Sequence, residues 1–186
     1  MKDLELIAGC KRRDQKAQRE LYAAYAPGMM SVCRRYVNDP VTAQDILQDG
    51  FVKVFTKIDT YSGKGAFAGW IRRIFVTTSL EYLRRNGFLK LRVPIDESGP
   101  VEDEISTTVL SHLTAEDLLA CIAKLPTGYR TVFNLYVIEG YSHNEIAKML
   151  NIKESSSQSQ LTRARRILQK NVQSIIGQDY AKQRSK

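Results

Sequence analysis

Residues 141–170, YSHNEIAKMLNIKESSSQSQLTRARRILQK, carry two short helical patterns separated by a brief break. Ser142 and Glu145 have the S-x-x-E spacing of a capping box, in which a hydroxyl and a carboxylate satisfy the free N–H groups at a helix start. Ile146, Ala147 and Leu150 follow at i, i+1 and i+4, one apolar face of about two turns. Asn151 tolerates the left-handed conformation that ends a helix. A second helix restarts near Glu154 with Leu161, Ala164 and Leu168 inward, which leaves Ser155, Ser157, Gln158, Gln160 and Arg163 to point outward. A short apolar helix, a turn, then a helix showing small hydrogen-bonding groups and arginines is the layout of a helix-turn-helix DNA reader. A plain helical hairpin in a bundle is the blander arrangement the same pattern allows.

Charge supports a phosphate-bearing partner. The chain has 186 residues and a net charge of +8, from 28 basic and 20 acidic side chains. Residues 1–93 hold 17 bases and 9 acids, residues 94–141 hold 2 and 8, and residues 142–186 hold 9 and 3. Two basic blocks flanking an acidic middle imply two contact surfaces joined by a segment with another task. The three cysteines, Cys10, Cys33 and Cys121, follow no ligand spacing, and with only His112 and His143 beside them they make a poor metal site. Reduced, packed thiols in a cytoplasmic protein with no metal and no cofactor are expected. No apolar run approaches the roughly 20 residues needed to span a bilayer, so membrane insertion is not expected.

Glycine and proline are sparse, and apolar residues recur at helical spacing throughout. Leu4, Ile7 and Ala8 give a first face. Asp14 caps a second helix with Ala17, Leu21, Ala24 and Tyr25 inward, and Pro27 sits as if in the first turn of a third. Asn38-Asp39-Pro40 is a break. Val41 to Ile58 is amphipathic, with Ile46, Leu47, Phe51, Val54 and Phe55 buried. Tyr61 to Gly65 is a loop, and Ala66 to Asn86 a long helix with Phe67, Trp70, Ile71, Ile74, Thr78 and Tyr82 recurring. Further on, Thr114 caps a helix carrying Leu118, Leu119, Ile122 and Leu125, and Pro126 starts another with Val132, Phe133, Tyr136 and Val137. The expected fold is all-α: a helical domain over 1–88, an acidic linker over 89–112, a helix-turn-helix domain over 113–175 and a basic tail over 176–186.

Three surfaces carry candidate chemistry. On the second reader helix, Gln158 and Gln160 are suited to base edges, because a glutamine amide pairs with adenine. Ser155, Ser156 and Ser157 stand at the helix start, where backbone N–H groups hold phosphate. Arg163 and Arg165, with Arg166, would divide between bases and phosphates. On the loop and long helix, Tyr61, Phe67 and Trp70 alternate with Lys64, Arg72 and Arg73, a mixture that stacks and steers unpaired bases, although a tryptophan at helical spacing with Ile74 is more often a core residue. Thr77, Arg84 and Arg85 lie on the same outward side. On the third surface, Asp45, Gln48 and Asp49 form a polar edge beside Phe51, to which a partner helix could dock; a solvated helix face reads the same way. An enzyme finds no support: there is no Ser/His/Asp set, no zinc spacing and no nucleotide-binding loop, and both histidines read as surface residues.

Taken jointly, ELYAAYAPGMMSVCRRYVNDPVTAQDILQDGFVKVFTKIDTY, FAGWIRRI, YLRR and LPTGYRTVFNLYVIEGYSHNEIAKMLNIKESSSQSQLTRARRIL resemble an extracytoplasmic-function (ECF) RNA polymerase sigma factor of the sigma-70 family. The resemblance implies a first domain that grips the clamp helices of core RNA polymerase through Asp45, Gln48, Asp49 and Phe51. It implies that Lys64, Phe67, Trp70, Arg72, Arg73, Thr77 and Arg84 serve minus-ten recognition and melting. It implies a second domain, seated on the polymerase flap, that reads the minus-thirty-five element of promoter DNA through Ser155 to Gln160, Arg163 and Arg165. An anti-sigma factor is implied as a further partner. The chain departs from the family where Gln44-Asp45 replaces two acids, where Val76, Thr77 and Glu81 replace frequent Arg, Asn and Asp, and where Ser155-Ser156-Ser157-Gln158-Ser159-Gln160 replaces Gly-Thr-Val-Lys-Ser-Arg. Two positive charges are lost in the last, so amide-based reading with a shallower salt dependence is expected. A helix-turn-helix regulator acting without polymerase is the alternative.

Overall fold

Aspartate caps and one proline set where two helices of the first unit begin. The computed structural model describes residues 2–87 and 114–184, and every regular element among them is helical. Compactness divides the chain into Met1–Gly87 and Phe88–Lys186. The first unit holds α1 (Lys2–Lys11), α2 (Gln15–Tyr36), α3 (Pro40–Lys57), a 3-10 turn (Ile58–Thr60) and α4 (Phe67–Arg85). The Asp14 carboxylate accepts from the Lys16 N–H at 2.8 Å, and Asp39 accepts from the Thr42 N–H at 2.7 Å, with Pro40 in the first turn of α3. Each satisfies a donor the helix leaves orphaned.

Packing then overrides two local readings. Pro27 lies inside α2, not at a new start. A proline there forfeits a backbone hydrogen bond, but Leu21, Met29, Val32 and Cys33 fall on one buried stripe that spans it, and α2 packs on α1, α3 and α4. In α1 the buried residues are Leu6, Ile7 and Cys10, while Leu4 and Ala8 are exposed, as is Ala24 in α2. Lys11 and Arg13 tie the α1–α2 turn to the end of α3. The Lys11 ammonium donates to the Tyr61 carbonyl at 3.1 Å, and the Arg13 guanidinium donates to the Phe55 carbonyl at 2.7 Å and pairs with Asp59 at 3.1 Å. Arg13 holds a φ of 64° to do so.

At the centre, Phe75 of α4 lies edge-on to Phe51 of α3, with centroids 5.1 Å apart, and its ring rests on the bare Cα of Gly50. The ring occupies the space a Cβ at 50 would need. Cys33, fully buried, has its thiol pushed up to about 12 by desolvation.

The second unit holds α5 (Ala115–Ala123), α6 (Thr127–Phe133), a π turn (Asn134–Ile138), α7 (His143–Leu150) and α8 (Glu154–Arg184). Thr114 and Asp117 form a reciprocal capping box on α5. Arg130 is buried in α6, and its guanidinium donates to the Ala123 carbonyl at 2.8 Å, satisfying the open end of α5; desolvation lowers its pKa. Two apolar expectations fail here. Leu118 and Leu119 are exposed; Leu125 is buried as expected, and Cys121 is buried with it. Tyr136 and Val137 are also exposed, because the π turn, closed by the Glu139 N–H to the Asn134 carbonyl at 2.9 Å, adds a residue to the turn and rotates them off the buried stripe of α6. The backbone of 176–184 continues α8 where a separate basic tail was expected, since no proline interrupts it. The acidic segment 89–112 lies outside the described residues.

Substituting Gly50→Ala is expected to destabilise the chain by about 1–3 kcal/mol in urea unfolding despite the better helix propensity of alanine, because the Phe75 ring must be displaced. Alkylation at pH 8 should leave Cys33 unmodified in the folded chain and label it after unfolding, since the thiolate is the reacting species.

Candidate nucleic-acid interface

The reader begins with Ser142, whose side chain accepts from the Glu145 N–H while the Glu145 carboxylate accepts from the Ser142 N–H at 2.9 Å. Asn151 ends α7 in the left-handed region at φ 54°, ψ 51°, and the chain re-enters helix at Glu154. From behind, α8 is held by Ala164 against Leu125 and Tyr129, with Phe133, Ile167 and Leu168 packed around them. Leu161 and Val172 are buried on the same side.

That packing decides which of the serines and glutamines face outward. Ser155, Gln158, Thr162 and Arg165 form one exposed stripe, with Arg163 and Ser156 half-buried at its edges. Thr162 is the member that sequence reasoning missed; it is exposed, and its hydroxyl donates to the Gln158 carbonyl at 3.1 Å. One expected reader is corrected. Ser157 is fully buried, and its hydroxyl is hydrogen-bonded to His143 Nδ1 at 2.9 Å. Gln160 is half-buried, its Oε1 3.6 Å from where a Cβ on Gly128 would stand. His143 is likewise no simple surface residue, since its ring stacks on Tyr136 with centroids 4.4 Å apart. The position of Ser157 four residues before Leu161 was a legible signal of the inner stripe, masked by the polar identity of the residue.

On the first unit, the loop after the 3-10 turn is pinned by its own tyrosine: the Tyr61 hydroxyl donates to the Gly65 carbonyl at 2.7 Å, and Gly63 and Gly65 both take φ near +78°. Lys64 is exposed at its tip. Phe67 is buried, stacked on Trp70 at 5.6 Å and packed on Tyr25 and Tyr61. It supports Trp70 and is not itself available to a ligand, a correction to its expected role. Trp70 is half-buried and lines a cleft of about 190 Å³ between α3 and α4 with Lys53, Lys57, Arg73, Ile74, Thr77 and Glu81. Lys53 and Glu81 are ion-paired across it. Lys53 and Lys57 were missed in sequence, because they sit on α3 and only packing brings them to α4. Arg72 is half-buried on another side of α4, and Arg84 is exposed two turns beyond Thr77 on the same side of the helix, outside the cleft.

The third surface lies on α3. Asp45, Gln48 and Asp49 are exposed on it, flanked by Val41 and Val52, which are 70% and 64% exposed. Asp49 pairs loosely with Arg85 at 3.9 Å. Phe51 is buried between Tyr22 and Phe75, so it shapes this surface from beneath and cannot touch a partner, a second correction. Val41 and Val52 lie on the same side of α3 as these residues, away from its core stripe.

Both helical units match known family models. Residues 21–88 match the model of Sigma-70 region 2, and residues 115–168 match Sigma-70, region 4. The chain is 29% identical over 184 residues to the ECF RNA polymerase sigma-E factor of Escherichia coli strain K12, covering 94% of this chain and 96% of that one. It is 27% identical over 190 residues to the sigma-E factor of Haemophilus influenzae, covering 94% and 97%. Among solved structures, it is similar in fold to CnrH in complex with the cytosolic domain of CnrY, at 22% identity and a TM-score of 0.51 over 94% of this chain and 99% of that one. It is also similar in fold to the sigma factor RpoE in complex with the anti-sigma factor NepR from Bartonella quintana, at 17% identity and 0.51 over 83% and 96%. No helix among the described residues is long and apolar enough to cross a membrane.

Gln158→Lys adds one charge to the exposed stripe of α8. The plot of log affinity for duplex DNA against log salt is expected to steepen by about one, measured by fluorescence anisotropy; an unchanged slope would remove position 158 from the interface.

Proposed function

This chain belongs to the sigma-70 family of RNA polymerase sigma factors, in its extracytoplasmic-function group, and we propose on that basis that it directs core RNA polymerase to specific promoters and initiates transcription there. The observation that carries the reading is the order of the two matched regions along the chain, each falling on a helical unit that presents a positively charged face. Neither face has catalytic groups, and the chemistry of RNA synthesis stays with the polymerase. The work is done in the cytoplasm, without a cofactor.

The proposed division of labour follows the surfaces. Asp45, Gln48 and Asp49, with Val41 and Val52 beside them, dock on the clamp helices: the valines contribute apolar area, and the acids and amide set register. The cleft of Trp70, Arg73, Thr77, Lys53 and Lys57, with Lys64 on the neighbouring loop, receives the non-template strand at the minus-ten element, stacking an unpaired base and neutralising phosphates. Extruding a base costs a few kcal/mol, which an aromatic face and clustered cations offset. Ser155, Gln158, Thr162, Arg163 and Arg165 enter the major groove at the minus-thirty-five element, where the Gln158 amide suits adenine and the Thr162 methyl suits thymine. The exposed Leu118 and Leu119 support contact of the second unit with the polymerase flap. The solved relative bound to an anti-sigma factor supports a similar inhibitory partner here. A regulator independent of polymerase would leave the α3 surface without a purpose.

Run-off transcription with purified core polymerase on a pool of genomic promoters tests the reading: discrete transcripts that require the chain are expected, and their absence would overturn it. Asp45→Ala with Gln48→Ala is expected to lower retention of the chain on immobilised core polymerase roughly ten-fold or more while its melting temperature is kept, consistent with loss of central interface side chains.

A further inference from the structure

The leading end of the reading helix is held by a polar contact where the rest of its inner stripe is apolar. Ser157 lies in the first turn of α8 and is fully buried on the side of Leu161 and Ala164. Its hydroxyl is 2.9 Å from Nδ1 of His143, the first residue of α7. The His143 ring is stacked on Tyr136 of the π turn at an interplanar angle of 21°. One imidazole therefore joins three consecutive elements of the second unit.

We propose that His143 is a positioning residue for DNA reading: through Ser157 it fixes the rotation of the first turn of α8 and so decides which side chains meet the base edges. The proposal rests on the sigma-factor reading above and deepens it. Its physical ground is direction. The attraction between apolar surfaces is non-directional, whereas a hydrogen bond weakens steeply as its angle opens. Ser157 stands beside Gln158 and two residues from Ser155, so a rotation of this turn swings both relative to the groove. The stack on Tyr136 fixes the plane of the imidazole, and with it the direction in which Nδ1 points. A serine hydroxyl donates and accepts, so either neutral imidazole tautomer makes the bond. Ala164, Leu161 and Val172 hold the middle of the helix independently of this contact.

The test uses the full chain assembled with core polymerase and selection from a randomised duplex pool. His143→Phe keeps a ring on Tyr136 and removes the bond; Ser157→Ala removes it from the other side; His143→Asn keeps a polar atom close to where Nδ1 stands and gives up the stack. His143→Phe and Ser157→Ala are each expected to lower the preference for the best duplex over single-base mismatches roughly three- to ten-fold, the worth of one hydrogen bond. The double variant should lose no more than either single one, His143→Asn should recover most of the preference, and retention on core polymerase should be unchanged in all of them. Selection as sharp as that of the parent chain in both His143→Phe and Ser157→Ala would overturn the proposal, and so would losses that add in the double variant. A parent chain that selects no sequence at all would sink the sigma-factor reading itself, and this proposal with it.

Discussion

A helix that reads DNA must be gripped firmly along one side while the other stays bare, and in this chain the close approach of Ala164 to Leu125 and Tyr129 provides that grip. The small side chain brings the backbone of α8 near α5 and α6. Everything the helix can offer a groove follows from that seating: with Ala164, Leu161 and Ser157 turned inward, helical geometry leaves Ser155, Gln158, Thr162 and Arg165 on the outside. The buried Arg130, which closes the end of α5 at Ala123, keeps the platform itself in one piece. A buried guanidinium is costly unless its hydrogen bonds are made, so this contact also specifies how α5 and α6 meet.

In the first unit the corresponding platform is aromatic. Phe75 against Gly50 and Phe51 brings α4 close to α3, and that approach creates the cleft in which the lysines of α3 and the Trp70 and Arg73 of α4 come together. Phe67 and Tyr61 hold Trp70 from behind, so its remaining exposed face is presented in a fixed orientation. A preoriented aromatic ring among cations loses little entropy when a base stacks on it, which supports the proposal that this cleft takes an unpaired strand. The same burial that makes Phe67 and Phe51 useful keeps them away from any partner.

Local rules made much of this legible from the residues. The capping box at Ser142, the cap at Thr114 and the left-handed Asn151 are short-range chemistry, and they hold in the structure; the Asn38-Asp39-Pro40 break is there too, with Asp39 capping α3 one residue earlier than read. The readings that failed depended on distance. Pro27 appeared to open a helix because its tolerance inside α2 comes from packing on three other helices. Ser157 appeared to face DNA because polarity was taken as a sign of exposure, whereas its position on the inner stripe decided the matter. Lys53 and Lys57 were invisible as site residues because they belong to a different helix from Trp70. Tyr136 and Val137 followed an ordinary helical period until a π turn shifted their phase. In each case a contact remote in sequence competed with a local preference and won.

The central claim is that two separate faces of one chain contact different parts of a promoter, and site-specific photo-crosslinking in the complex with core polymerase and promoter DNA measures this most directly. A crosslinker at position 158 should label the upstream duplex element, and one at position 73 should label the non-template strand of the melted segment in the same complex. Labelling of one and the same DNA segment from both positions, or none from position 73 once the duplex has opened, would contradict the account.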